Sequence, residues 1–518
     1  MIAILVGAIQ FSVTNERKRR QLMRTLAGSR PGSLTIFACC VLIMLAGSMP
    51  RSEASSATQQ QYDVVILNGR VIDPESNLDQ ILNVGISGGT VQAISAKSMR
   101  GRTTVLATGL VVSPGFIDLH SHGQDAENYR YKAMDGVTTA LELEVGTADA
   151  AGWNAEREGK ALINYGVSVG HIPVRMSVMH DPGAFLPSGD AAHKAASEAE
   201  VEQIKARIEQ GLKQGALGVG FGIAYTIAAS RWEILEMFRV AARYGAVCFV
   251  HMRYAGDKEP GSGIQALEEV LTAAAITGAP LHVVHISSVG LRATPRLLQI
   301  IGEARARGID VTTEVYPYTA TNTRIESAIY DEGWQQSLGI DYKDLQWVAT
   351  GERLTQESFA RYRKTGGSVI AHSIPEEVAR LAVASPLTII ASDGLLENGK
   401  GHPRSTGTFS RVLGRYAREQ RALTLTEALG KMTIMPARRL EGRAPAMKNK
   451  GRLRVGADAD IAIFDPEKVI DKSTYEQPAT YSEGMKYVLV NGAFVVKDGQ
   501  LQSNVAPGRA VRATVGAK

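Results

Sequence analysis

The chain has 518 residues, three cysteines and 52 glycines, and is 44% hydrophobic and 21% charged. These fractions are those of a globular protein and exclude a disordered chain, a disulfide-stapled miniprotein and a polytopic membrane protein. The formal net charge is +5, but residues 1–54 hold seven Lys/Arg against two acids and account for all of it, so the rest of the chain has no global field to attract nucleic acid.

Residues 1–54 read as a leader. Leu34 to Gly47 is an uninterrupted apolar to weakly polar run, too short to span a bilayer comfortably and suited to a signal peptide. Basic residues precede it and small residues follow. Cleavage after Ser52-Glu53-Ala54 or Ser55-Ser56-Ala57 would leave no stable membrane span in the mature protein; the alternative is a signal anchor that is never cut. Arg19-Arg20-Gln21-Leu22-Met23 is similar to a twin-arginine signal, which implies export of a folded protein to the periplasm, and Met23 would itself serve as a start. Cys39 and Cys40 would leave with the leader. Cys248, in the apolar run AVCFV, would remain alone in the core without a disulfide partner.

Two stretches of short strands with turn signals, 62–112 and 451–505, lie at opposite ends of the body. They predict one small β-sandwich domain built from residues 55–112 and 441–518. Between them, apolar runs alternate with helical patterns such as EVEQIKARIEQGLKQ and WEILEMFRVAARY. The runs are LVVSPGFIDLH, GVTTALELEV, GVSVGHIPV, GALGVGFGI, AVCFVHM, LHVVHIS, DVTTEVYPY and LTIIASD. Eight strand–helix units predict an α/β fold, a closed (β/α)8 TIM-like barrel over residues 113–440. Residues 319–385 exceed one helix and are expected as an insertion over the barrel mouth.

The ten histidines are few enough for their positions to matter. His120 and His122 end the first run two residues apart, so both imidazoles face one side. His251 ends the fifth run, His285 the sixth and Asp393 the eighth. Such barrels carry their active sites at strand C-termini, and converging imidazoles and a carboxylate suit zinc or a neighbouring divalent ion. Glu142 and Glu144 share one face of the second strand, and burying both without partners would be costly. Glu144 lies nearer the strand's C-terminal end and is the candidate ligand; its two oxygens could bridge two ions. Glu142 is left to support the site. His180, His193, His282 and His372 read as packing or surface residues, with His282 turned away from the site if His285 faces it.

In order along the chain, PGFIDLHSH, VGHIPVR, GALGVGFGIAY, FVHMR, VVHIS, YPYTA, SDG, HPRSTGTF and GADADIAIFDP resemble the amidohydrolase superfamily, and within it the D-aminoacylase (N-acyl-D-amino-acid deacylase) group, across residues 62–505. The resemblance implies a hydrolase that cleaves the amide bond of an N-acyl amino acid. Its metal, one or two Zn2+ or other divalent ions, would sit on His120, His122, His251 and His285. Asp393 would be a ligand, or a group supporting the ligands, and the general base. Arg404 and Tyr318 would hold a substrate carboxylate, with Tyr225 at another pocket position and His171 a possible supporting residue. Two departures stand out. GVTTALELEVG lacks the group's cysteine, for which Glu144 would substitute, and Ser287 stands where the group has a lysine. A small molecule with a free carboxylate is the expected partner. A cyclic-amide hydrolase or metallo-dipeptidase of the same superfamily is the alternative, and a non-catalytic barrel a further one. The oligomeric state stays open.

Overall fold

The computed structural model describes residues 61–514. The leader, with its apolar run, twin arginines, Cys39 and Cys40, lies outside the described residues. Within them no helix is long and apolar enough to cross a membrane.

The central sheet comprises β1 (Phe116–Asp118), β2 (Val137–Thr147), β3 (Asn164–Gly170), β4 (Gly218–Gly222), β5 (Val247–His251), β6 (Leu281–Val283), β7 (Val311–Val315) and β8 (Thr388–Ile390). They neighbour one another in chain order and all pairs are parallel. These are the eight runs read from the sequence. A parallel barrel is covered on both faces, which is why its strands read as continuous apolar runs; β5 is buried at every residue. The intervening helices announce themselves locally. In Glu198–Lys213 the Ser197 and Glu200 side chains cap each other's backbone, and Val201, Ile204, Ile208 and Leu212 form the buried stripe.

The chain beyond β1 meets the chain beyond β8 through an isolated bridge, Ser121 to Gly394, and through His122 N and Gly123 N, which both donate to Gly394 O at 3.0 Å. Side chains and backbone together close the gap. Asp118 accepts from Ser392 N (3.0 Å), Ser392 Oγ (2.6 Å) and Lys132 Nζ (2.8 Å), while Asp393 N donates to His120 O at 2.7 Å. The barrel is thus sealed where its first and last strands deliver site residues.

Between β7 and β8, strands Thr321–Arg324, Leu345–Trp347 and Ser368–Ala371 form a small antiparallel sheet with its own core of Ile325, Trp334, Trp347 and Phe359. The terminal segments meet in another sheet, where Val111–Pro114 pairs antiparallel with Ile461–Phe464. Hydrogen bonds unite its nine strands in one network. The long strand Gln61–Asp73 makes this possible by pairing first with Arg100–Leu106 and then, beyond a shift in register, with Val111–Pro114. Residues 508–513 leave that sheet. They run beneath β3 and β4, with Gly508 N on Ala161 O, Val511 N on Tyr165 O and Ala513 N on Gly215 O, and Val511 joins Leu217 and Val247 in the barrel core.

Candidate metal centre

The strand ends bring six predicted donors together. His120 Nε2 and His122 Nε2 are 3.2 Å apart. Glu144 Oε2 lies 2.8 Å from the first and 3.3 Å from the second. Asp393 Oδ1 lies 3.5 and 3.2 Å from the same two atoms. The other oxygen of Glu144, Oε1, lies 2.8 Å from His251 Nδ1 and 3.7 Å from His285 Nε2. The donors therefore form two groups, His120–His122–Glu144–Asp393 and Glu144–His251–His285, with Glu144 common to both.

Local backbone irregularities create this convergence. The β2–β3 register shifts between Glu142 and Thr147, a bulge that re-aims side chains beside a site. Neighbouring glycines make room for it: a Cβ on Gly170 would fall 1.8 Å from Val145 O, and one on Gly220 2.1 Å from Glu144 O. His285 and Asp393 both adopt left-handed backbone, at φ 33° and 53°, a conformation costly for non-glycine residues and concentrated at functional sites. The turn at His285 also corrects the expectation for His282. Strand alternation ends at Val283, so both histidines face inward. His282 is fully buried, with Nε2 2.9 Å from Glu314 Oε2 and Nδ1 2.7 Å from Thr312 Oγ1.

Carboxylates crowd the cluster: Glu142, Glu144, Glu314 and Asp393 are all buried among its imidazoles. Burial alone would push the His120 imidazole down, but Asp393, Glu314 and Glu144 together lift it to about 10. Burial would raise Asp393, yet the Arg404 guanidinium and His120 hold its carboxyl well below the usual range. Glu144 behaves likewise: burial opposes ionisation, and His120, His122 and His251 together outweigh it. Imidazole with carboxylate is a donor set for divalent metals. The residues present fit such an ion.

The remaining predicted residues divide. Glu142 supports His122 from behind, with Oε2 2.7 Å from His122 Nδ1 and Oε1 accepting from Val145 N and Gly146 N. Arg404 and Tyr225 line a cavity of about 330 Å3 over the donors, walled also by Phe185, Tyr316, Ile329 and Trp334. Arg404 is 3% exposed. Its Nη1 stands 2.9 Å from Asp393 Oδ2, an ion-pair distance, but neither Nη1 nor Nε has an aligned hydrogen-bond acceptor among the described residues.

Three residues expected at the site lie off the cavity wall. Tyr318 turns its hydroxyl to Pro403 O and Asp471. Tyr316, two residues beyond Glu314, takes the wall position instead. Ser287 is buried apart from the cavity; the helical turn Ile286–Gly290 instead brings Ser288 Oγ within 2.9 Å of His285 Nδ1. His171 sits on the helix after β3, where Nε2 pairs with Glu233 at 2.8 Å alongside Arg175. Glu314 was missed. Its Oε1 is 2.6 Å from His120 Nδ1, and an acid inside the apolar run DVTTEVYPY is the same signal of costly burial that singled out Glu142 and Glu144.

A parallel eight-stranded barrel with histidine and carboxylate donors at its strand ends defines a metal-dependent hydrolase. The chain matches the Amidohydrolase family over residues 176–496 and belongs to it. It is 29% identical over 502 residues to the N-acyl-D-glutamate deacylase of Alcaligenes xylosoxydans xylosoxydans, covering 88% of this chain and 97% of that protein. It is also 29% identical over 485 residues to the D-aminoacylase of the same organism, covering 85% and 95%. A crystal structure of N-acyl-D-glutamate deacylase from Bordetella bronchiseptica, complexed with zinc and a phosphonate inhibitor, matches with TM-score 0.75 and 28% identity over 88% of this chain and 100% of that one. The chain is therefore a hydrolase acting on amide bonds.

Proposed function

We propose that the protein is a zinc-dependent deacylase of N-acyl amino acids, acting on the D-enantiomers. The observation that carries this reading is Arg404, a buried guanidinium on the wall of the cavity over the metal-binding groups, whose Nε and Nη1 have no aligned hydrogen-bond acceptor among the described residues. A planar cation of this kind fits a substrate carboxylate. A cyclic amide closed through the α-carboxyl group, as in a hydantoin, offers no such carboxylate, so the arginine disfavours that class of substrate. The named activities of the relatives and the zinc in the Bordetella bronchiseptica enzyme support the substrate class and the ion.

His120, His122, Glu144, His251, His285 and Asp393 would hold the metal. When bound, the ion supplies charge that polarises an amide carbonyl and lowers the pKa of water to about 7. Arg404 fixes the substrate carboxylate and so sets the amide over the donor groups. Asp393, ionised and facing the same space, takes the proton of the attacking water and hands it to the leaving nitrogen. Water adds to the carbonyl carbon, the C–N bond breaks, and the products are a carboxylic acid and a free amino acid. Export to the periplasm belongs to the proposal as well, supported by the basic, apolar and small-residue succession within residues 1–57.

The test is amine release from N-acetyl-D- and N-acetyl-L-amino acids by the zinc-loaded protein. Release from the D series alone is expected. Equal rates on both enantiomers would refute the stereochemical part, and no release from either would refute the deacylase reading.

A further inference from the structure

The loop that follows the helix after β3 (His171–Val178) reaches the donor groups, and one carboxylate sets its shape. Asp181 accepts from four backbone amides: Gly183 (2.9 Å) and Ser188 (3.0 Å) on Oδ1, Gly189 (2.9 Å) and Ala191 (2.9 Å) on Oδ2. Pro182 and Pro187 limit the backbone further. A Cβ on Gly183 would fall 2.1 Å from Leu186 O, so the chain turns tightly there. The turn brings Phe185 and Leu186 into the cavity wall. Leu186 belongs to a buried cluster with Val145, Ile172 and Tyr225. Phe185 stays 38% exposed, and of the large apolar side chains exposed among the described residues it alone lines the cavity. Its ring meets that of His122 in a T-shaped contact, with centroids 5.6 Å apart.

Three contacts order this side of the cavity. Arg404 Nη1 stands 2.9 Å from Asp393 Oδ2, Asp393 Oδ1 stands 3.2 Å from His122 Nε2, and Phe185 lies against the His122 ring. A substrate with its carboxylate on Arg404 and its amide carbonyl over Asp393 and His122 extends its acyl group beyond His122, towards Phe185. An open apolar ring at that place gains from being covered by apolar surface, and a loop already fixed loses little freedom on binding. We propose that Phe185 is a specificity-determining residue: with Leu186 it forms the acyl subsite, which selects apolar acyl groups longer than acetyl over charged ones. The proposal rests on the deacylase reading and specifies its substrate.

The test compares N-acetyl, N-butanoyl and N-succinyl derivatives of one D-amino acid, the one whose N-acetyl derivative is cleaved fastest, by amine release from the zinc-loaded protein. Burying two further methylenes should raise kcat/KM for butanoyl over acetyl by about tenfold. Succinyl has a similar length but ends in a carboxylate, and should fall at least about tenfold below butanoyl. In Phe185→Ala the butanoyl-to-acetyl ratio should shrink to about twofold, and in Phe185→Leu, which keeps an apolar side chain, most of it should return. Circular dichroism checks folding. Equal rates on acetyl and butanoyl in the wild type, a succinyl rate above butanoyl, or a wild-type ratio in folded Phe185→Ala would each overturn the subsite and leave the protein a deacylase. No release from any of the three would refute the deacylase reading, and the subsite with it.

Discussion

Replacing Arg404 by alanine separates two contacts made by one guanidinium. Nη1 stands 2.9 Å from Asp393 Oδ2, while Nε and Nη1 lack aligned partners in the cavity. A carboxylate accepting from this group would form charge-assisted hydrogen bonds worth roughly 1.5–3 kcal/mol each. At 3% exposure little water screens them. Losing about 3 kcal/mol of that interaction corresponds to about two decades in kcat/KM. The assay compares an N-acyl-D-amino acid with its C-terminal carboxamide, in wild type and variant. The acid should lose about 100-fold, mostly through KM. The carboxamide should lose much less, and its loss measures what Arg404 does through Asp393. Equal losses on acid and carboxamide would refute the carboxylate contact and assign the whole effect to Asp393.

Asp393→Asn should retain most of the metal by elemental analysis and abolish turnover; substantial remaining activity would refute its role as proton acceptor. His372 governs part of the acid stability. Burial, reinforced by Arg353, pushes its imidazole from the ordinary 6.5 down to about 4. Folding thus favours the neutral ring, so its contribution is complete above pH 6.5 and disappears as pH falls through about 4. Discounted for the half-buried ring's screening by solvent, the effect is about 1–2 kcal/mol. Denaturant unfolding of His372→Gln between pH 7 and pH 4 should show a correspondingly smaller loss, and an unchanged loss would remove His372 from the account.

The barrel was legible because each of its strands obeys a local rule. A parallel strand covered on both sides must be apolar along its length, so VCFVH and LTII declare themselves without reference to their neighbours. Donors placed at strand ends were legible for the same reason: His120 and His122 are two residues apart, and alternation points both one way. That rule fails where the strand stops. At His285 the left-handed backbone resets the alternation, and His282 comes to face the site. After β7, Tyr316 lines the cavity whereas Tyr318, two residues on, turns its hydroxyl to Pro403 O.

Composition, strand count and the inventory of imidazole and carboxylate groups are determined by the sequence by itself, since each depends on residues within a few positions of one another. Which nitrogen of each histidine faces the metal-binding space was decided only by tertiary structure. Glu314 reaches His120 across 194 residues, and Glu144 offers one oxygen to each donor group only because Gly170 and Gly220 leave space for the bulge that carries it. Such contacts form when the barrel closes and brings distant strand ends within hydrogen-bond reach, which no local periodicity encodes.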